Sequence, residues 1–369
     1  MEKVHETVLE IDLNALTHNF QYLKSRIKPQ TKILAVVKAF AYGSDASEIA
    51  AHLQKLDVDY FAVAYTQEGI ALRDSGIKTP ILVLHPQSVN FKTLIDRCLE
   101  PSIYSHHMLT EFIKITEEEK QTNYPVHIKF NTGLNRLGFD PVDVSEIVST
   151  LKNTKSVQAK SIFSHLAASE DLNEKLFTEK QIATFKTISK TFKESIGYKP
   201  MLHLCNTSGV LNYPEAHFDM VRVGIGLYGF GNSEKEDVYF TPIATLKSII
   251  SQIHTIEAGE SVGYNRAFKG ANKTRSATIP IGHADGIGRQ YGNGKGFVTI
   301  HNKQAPIIGN VCMDMIMVDV SDIDCQEGDE VIIFGKNPTA NKLAQTTKSI
   351  SYEIITAISQ RVKRVFLNN

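Results

Sequence analysis

The chain is short of several features, and each shortage excludes something. Its 369 residues hold four cysteines, Cys98, Cys205, Cys312 and Cys325. They are widely spaced and form no CxxC pair, so neither a disulfide framework nor a zinc site is expected, as befits a reducing cytoplasm. No stretch approaches the roughly 18 apolar residues needed to span a bilayer. Met1-Glu2-Lys3-Val4-His5-Glu6 leads straight into Val8-Leu9-Glu10-Ile11-Asp12 with no apolar segment before it, so no secretory signal is expected. Neither sign of charge is in excess: Lys+Arg and Asp+Glu are 40 each. That balance argues against nucleic acid or an anionic membrane as partner, while leaving room for a local pocket for one phosphate.

Short apolar runs recur through the first 235 residues: Ile33–Val37, Tyr60–Ala64, Ile81–Leu84, Ser102–Tyr104, Val126–Phe130, Ser161–Ser164, Met201–Leu204 and Phe218–Val223. Most are followed by an amphipathic segment. Residues 45–56 place Ile49, Leu53 and Leu56 on one helical face, and residues 178–192 do the same with Ile182, Phe185 and Ile188. Strands alternating with helices predict a parallel sheet. Eight such units in a row predict a closed (β/α)8 TIM-type barrel. The other architecture, an open doubly wound sheet, is weakened because no GxGxxG follows the first strand. A helix over residues 12–27, N-capped by Asp12, precedes the barrel.

The pattern changes near residue 235. Asn232-Ser233-Glu234-Lys235-Glu236-Asp237 reads as a polar linker or loop. Beyond it come β-branched runs over residues 244–256, 276–281, 296–301, 304–308, 316–320 and 330–334, then a helix at about 347–358 and a last strand over 364–367. The expected division is therefore an α/β barrel over residues 1–235 and a C-terminal mainly-β domain over 236–369. Residues 1–10 are candidates to pair with the second domain.

In such a barrel the chemistry stands at the C-terminal ends of the strands. Reading the ends gives Lys38 after the first run; Lys129 on the fifth, then Asn131–Arg136; His165 after the sixth; Asn206-Thr207-Ser208-Gly209 after the seventh; and Arg222 on the eighth, then Gly224-Ile225-Gly226. Lys38 alone reads either as a solvated strand end or as a Schiff-base lysine, whose amine must be partly desolvated to attack a carbonyl. The loops after strands seven and eight are the usual phosphate site of this fold, and here they offer a hydroxyl and a Gly-flanked backbone. Lys38 and that cradle together point to an aldehyde carrying a phosphate, which is pyridoxal 5'-phosphate.

Five segments carry a resemblance. They are Ala35–Gly43 (AVVKAFAYG), Asn131–Gly138 (NTGLNRLG), Val221–Gly229 (VRVGIGLYG), Val262-Gly263-Tyr264, and Gly309–Asp314 (GNVCMD). In this order and spacing the chain resembles the alanine racemase family of pyridoxal-phosphate barrel enzymes over nearly its whole length. The resemblance implies interconversion of L- and D-alanine in the cytoplasm, supplying D-alanine for peptidoglycan. It implies that Lys38 holds the cofactor and is one of two catalytic acid/base groups. Tyr264 is the other, donated by the second subunit of a homodimer, with Met313 donated likewise near the substrate. Tyr42, Ser208, Gly224, Ile225 and Tyr352 are implied to hold the phosphate, and Asn206 is implied to bind the cofactor as well. His165 is implied to pack beside the pyridine ring, and Arg136 to lie near the substrate carboxylate. Lys129 matches a position that many relatives carbamylate, with an ion pair to an acid as its other reading.

Arg222 matches the residue that faces the pyridine nitrogen in this family. A guanidinium only donates hydrogen bonds, so that nitrogen stays unprotonated and the ring is a weaker electron sink. A surface ion pair is the plainer reading of Arg222, at odds with its apolar flanks. The rival assignments are a racemase of serine or broader scope, a decarboxylase of the same barrel class, and a non-catalytic cofactor carrier. A decarboxylase would carry an acid opposite the pyridine nitrogen, and a carrier would lack the second domain.

Several positions depart from the family pattern. Phe40 stands where Asn is usual, and Asn131 where Asp is common. His283 replaces a Tyr, and Asn310 a frequent Arg, in the corridor by which substrate arrives; Arg289 matches. A histidine in that corridor is expected to make substrate access pH-dependent. An unchanged pH profile of kcat/KM in His283→Tyr would refute this.

Overall fold

A computed structural model describes residues 6–367. The first five residues of the expected 1–10 pairing segment lie outside the described residues. The chain divides into two compact units. One comprises Thr17–Ala41 and Ala46–Phe240; the other comprises the described part of Met1–Leu16, Tyr42–Asp45 and the chain from Thr241 onward.

The first unit is a closed barrel of eight parallel strands: Lys32–Val36, Tyr60–Val63, Ile81–Val83, Glu100–Ile103, Tyr124–Lys129, Val157–Phe163, Met201–His203 and Met220–Val223. The first strand pairs with the last, Ile33 opposite Val221 and Leu34 opposite Arg222, which closes the ring. The strands are nearly all buried because helices cover them outside and side chains fill them inside. The interior is divided in character. Leu34, Tyr60, Ala62, Leu82 and Met220 form an apolar cluster on one side. On the other side His127, Ser161, His203 and Arg222 are buried polar side chains.

Helix Leu13–Ser25 is capped by Asp12, whose Oδ1 accepts from the Ala15 N–H at 2.9 Å. The expected helix at 45–56 is Ala46–Lys55, and that at 178–192 is longer, Lys175–Ile196, ending on left-handed Gly197.

The expected polar linker, 232–237, differs in kind. Ser233 caps a short helical turn, Glu234–Asp237, and Glu236 is buried. Its carboxylate accepts from the Ser208 hydroxyl at 3.0 Å, from Asn212 Nδ2 at 2.9 Å and from the Asn232 N–H at 2.8 Å. A charged run reads as solvated in sequence, but three donors satisfy this carboxylate inside.

The second unit is built on a nine-stranded sheet in the order Gln252–Ile256, Thr274–Ile279, Ile316–Asp319, Lys303–Ile308, Phe297–Ile300, Glu330–Phe334, Ala244–Ile249, Val8–Asp12 and Lys363–Leu367. The run expected over 244–256 is two strands, and Val8–Asp12 pairs with the last strand in parallel. The helix expected at about 347–358 is Ser351–Ala357, and a separate helix, Ala340–Gln345, precedes it, the two divided where Lys348 takes φ 58°. No described helix is long and apolar enough to cross a membrane.

Candidate active site

Lys38 leaves the first barrel strand into a left-handed turn. Ala39, Phe40, Ala41 and Tyr42 have φ of 53°, 55°, 50° and 51°, followed by Gly43 at 85°. Left-handed backbone costs an L-residue about 1–2 kcal/mol, so four in succession must be held from outside. Glu68 does much of that holding. Its carboxylate accepts from the Ala39 N–H at 2.6 Å, and from the Ala64 and Tyr65 N–H groups at 2.7 and 3.1 Å. The Tyr228 hydroxyl donates to the Val36 carbonyl at 2.9 Å, fixing the strand end from the other side. Gly43 is required where it stands, because a Cβ there would lie 2.1 Å from the Ile355 carbonyl oxygen.

The Lys38 amine is half-buried. Burial and then the Arg136 guanidinium lower its pKa, against a smaller upward pull from Glu68. Lys129 is buried, and its pKa falls to about 8 through burial and then Arg136, Arg222 and Lys38. Its Nζ lies 5.8 Å from the centre of the Phe163 ring. Among the described residues Lys129 makes no ion pair, so the acid partner of its plainer reading is not present there. The loop that carries Arg136 folds back on the same strand: Asn131 N–H donates to the Phe139 carbonyl, and Phe139 N–H to the Lys129 carbonyl. Asn131 Oδ1 accepts from the Gly133 and Asn135 N–H groups at 3.1 and 3.0 Å, an Asx turn that an aspartate would form equally well. Gly138, at φ 132°, leaves no room for a Cβ against the Asn131 nitrogen at 2.6 Å.

Arg222 is buried, not surface-paired. Its NH2 group donates to the Ser164 carbonyl at 2.7 Å, the Leu204 carbonyl at 3.1 Å and His165 Nδ1 at 3.0 Å; its NH1 group donates to His203 Nδ1 at 2.9 Å. Burial lowers its pKa to about 10, which still leaves a cation at neutral pH. Burial and this charge hold both His165 and His203 well below the usual imidazole range. Arg222 Nε has no protein partner among the described residues, so a donor remains for a ligand acceptor.

Asn206 N-caps the short helix Thr207–Asn212, its Oδ1 accepting from the Gly209 N–H at 2.9 Å and the Ser169 hydroxyl at 2.8 Å. Ser208 does not join the cradle expected of it: it is turned toward Glu236 and Asn232, whose Nδ2 donates to it at 2.7 Å. Thr207 is the hydroxyl that stands there instead, accepting from the Gly224 and Gly226 N–H groups, both at 3.3 Å. Adjacent residues on a helix point about 100° apart, so only one of the two can face Gly224-Ile225-Gly226. The signal was available in sequence as the hydroxyl directly after the capping Asn206.

The remaining expected residues belong to the second unit. Tyr42 and Tyr352 are paired there with ring centres 5.9 Å apart, and burial raises the Tyr42 pKa. Tyr264 is 74 % exposed and Met313 59 % exposed. Asn310 Nδ2 donates to the Tyr264 carbonyl at 3.1 Å, so a residue expected in the access corridor fixes the Tyr264 loop. His283 N–H donates to the Cys312 carbonyl and Ala284 N–H to the Met313 carbonyl. Arg361 ties these two loops together by pairing with Asp285 and Asp314, each at 2.6 Å.

Two outcomes are expected. Lys129 binds a proton less readily folded than unfolded, so between about pH 8 and pH 10.5 the unfolded chain holds more protons and stability rises with pH. At pH 7 the buried amine therefore costs stability on the order of 3 kcal/mol. Lys129→Met should raise the denaturant midpoint of the unmodified protein at pH 7, and the gain should vanish above pH 10.5. Glu68→Ala should lower the unfolding free energy by about 1–2 kcal/mol, since it removes the acceptor of the three N–H bonds from Ala39, Ala64 and Tyr65, and calorimetry measures this.

The N-terminal and C-terminal domain models of alanine racemase match residues 11–231 and 243–366. An alanine racemase of Thermodesulfovibrio yellowstonii is 36% identical, covering 97% of both chains, and one of Methanococcus maripaludis is 32% identical, covering 99% of both. The solved alanine racemase of Clostridium difficile 630 is 34% identical with a TM-score of 0.93, over 100% of this chain and 97% of that one. The alanine racemase structure from Bacillus anthracis with bound L-Ala-P is 27% identical with a TM-score of 0.91, again over 100% and 97%. The chain belongs to the alanine racemase family.

Proposed function

We propose that this chain interconverts L- and D-alanine with pyridoxal 5'-phosphate as cofactor, and that two copies pair to complete each site. The observation that carries the reading is a half-buried lysine with a lowered pKa, grouped with a buried arginine that keeps a donor in reserve. The donor set suits the cofactor. Lys38 offers an amine. Arg222 Nε offers a hydrogen bond to a ring nitrogen and no proton. The Thr207 hydroxyl, which accepts from the Gly224 and Gly226 amides and keeps its own hydrogen to donate, and the Ile225 amide at the head of a short helical turn suit a phosphate. Tyr42 and Tyr352 are further phosphate donors in this reading, and Ser208 gives up its place to Thr207.

When bound, the cofactor supplies an aldehyde for the substrate amine and an electron-withdrawing ring that acidifies the Cα proton. The chain's residues do the rest. The Lys38 amine, with its pKa lowered by burial and Arg136, takes or returns the proton on one face of Cα. The Tyr264 phenol does so on the other, donated by the partner subunit along with Met313; their exposure on this chain supports that donation. Arg136 binds the substrate carboxylate. Neutral His165 packs beside the pyridine ring. Lys129, with its pKa lowered to about 8, more readily supplies the free amine that reaction with CO2 needs, and its carbamate would be an anion under the positive charge of Arg136 and Arg222. The D-alanine so made would supply peptidoglycan in the cytoplasm.

In deuterated water the purified protein with pyridoxal phosphate should place deuterium at Cα of L-alanine as D-alanine accumulates, read by NMR and chiral chromatography. An unexchanged Cα with no D-isomer overturns the assignment. Lys38→Ala and Tyr264→Phe should each lower the rate by at least about 100-fold. Mixing the two variants should restore roughly a quarter of wild-type activity, because half the dimers are mixed and each holds one intact site. No recovery in a mixture that exchanges subunits rules out donation in trans.

A further inference from the structure

The barrel interior holds a row of buried polar side chains that leads away from the proposed active site. It starts at Arg222 NH1, which is 2.9 Å from His203 Nδ1. His203 Nε2 is 2.8 Å from Ser161 Oγ. Ser161 Oγ is 2.6 Å from His127 Nδ1, and His127 Nε2 is 2.7 Å from Glu100 Oε2. His127, Ser161 and His203 are each 0 % exposed. The inward faces of such barrels are commonly filled by branched apolar residues, so four linked polar groups call for an explanation.

The ends of the row fix the direction of every bond. Arginine has donors only, so His203 Nδ1 must accept and its Nε2 must carry the proton. Ser161 Oγ then accepts from His203, and its own hydrogen has one available acceptor, His127 Nδ1. His127 therefore carries its proton on Nε2 and donates to Glu100, which as a carboxylate only accepts. The negative charge of Glu100 adds to burial in raising the Tyr60 pKa, and the Tyr60 ring meets His127 edge-on at 5.9 Å. The His203 ring is stacked on Phe163 at 4.7 Å, so it is held in plane as well as in tautomer.

We propose that Glu100 is a positioning residue for Arg222, acting through His127, Ser161 and His203 to hold His203 in the tautomer that accepts from the guanidinium. An acceptor-only group is needed at the far end. A glutamine there could turn its amide and donate to His127 Nε2. His127 would then donate to Ser161, Ser161 to His203 Nε2, and His203 would present an N–H to an arginine that also presents an N–H. The carboxylate forbids that reversal without touching the site itself. The proposal rests on the racemase reading for the role of Arg222.

The test uses full-length protein, with and without pyridoxal phosphate. Long-range ¹H–¹⁵N spectra of ¹⁵N-histidine protein should show His127 and His203 protonated on Nε2 in the wild type. Glu100→Gln keeps volume and removes the constraint. It should populate the Nδ1–H form of His127, shift the absorption band of bound pyridoxal phosphate, and lower kcat about tenfold with the alanine KM within about twofold, the effect of one misaligned buried hydrogen bond. Ser161→Ala should lower kcat likewise, and Ser161→Thr, which keeps the hydroxyl, should restore it. Wild-type histidines protonated on Nδ1 overturn the proposal. So does a folded Glu100→Gln protein whose tautomers, absorption band and kcat match the wild type. Failure of the wild type to exchange the alanine Cα proton overturns the racemase reading alone, since the tautomers are also read without cofactor.

Discussion

A buried guanidinium held entirely by uncharged acceptors is the constraint on which the barrel site depends. Arg222 sits inside the ring of strands with no carboxylate against it among the described residues. Four acceptors surround it, two carbonyls and two imidazole nitrogens. Removing a cation from water costs several kcal/mol even after relaxation, so each of these bonds must be made well. They come from the ends of the sixth and seventh strands, and Arg222 itself lies on the eighth. Satisfying one charge therefore aligns three strand ends.

The same charge sets the protonation of its surroundings. Arg222 and burial keep His165 and His203 neutral, and Arg222 joins Arg136 in bringing Lys129 down to about 8. Arg136 and burial lower Lys38. The cluster is thus rich in positive charge and poor in bound protons, and its amines are readier to act as bases. Such a site is complementary to a ligand bearing several negative charges. A phosphate dianion and a substrate carboxylate meet that description, and they would offset the repulsion among the cluster's own cations.

Much of this was legible in the sequence. Eight apolar runs alternating with amphipathic segments specify a barrel, because parallel strands buried on both faces are written as continuous apolar stretches. Reading the ends of the runs then found Lys38 and His165 just after them and Lys129 and Arg222 as charged residues within them. What failed to show has identifiable physical reasons. Ser208 and Thr207 carry the same hydroxyl, and only the helical register after Asn206 decides which faces Gly224. The run 232–237 looks like a solvated linker, yet Glu236 is buried by donors from Ser208 and Asn212, more than twenty residues away in sequence. The left-handed turn after Lys38 is nearly invisible, since Ala39, Phe40 and Ala41 have no local preference for it. Phe40 in particular sits at φ 55° where an asparagine would be more at ease. Glu68 and Glu100 were missed because they lie on other strands and helices, and only the closed barrel brings them to bear.

Those two glutamates also explain how cations can be held without being quenched. A carboxylate placed directly on Lys38 would raise its pKa and keep it protonated. One placed directly on Arg222 would compete for the donor that a ring nitrogen needs. In both cases the anion is set back. Glu68 grips the Ala39 N–H beside Lys38, and its upward pull on the amine is smaller than the opposing effects of burial and Arg136. Glu100 is separated from Arg222 by two imidazoles and a hydroxyl. Coulomb attraction falls with distance, whereas the direction of a hydrogen-bond chain does not. An acceptor-only group set at such a remove can therefore orient a cation while contributing little to its charge balance. That separation of orientation from neutralisation is what allows a single barrel interior to hold a reactive amine and a permanent cation together.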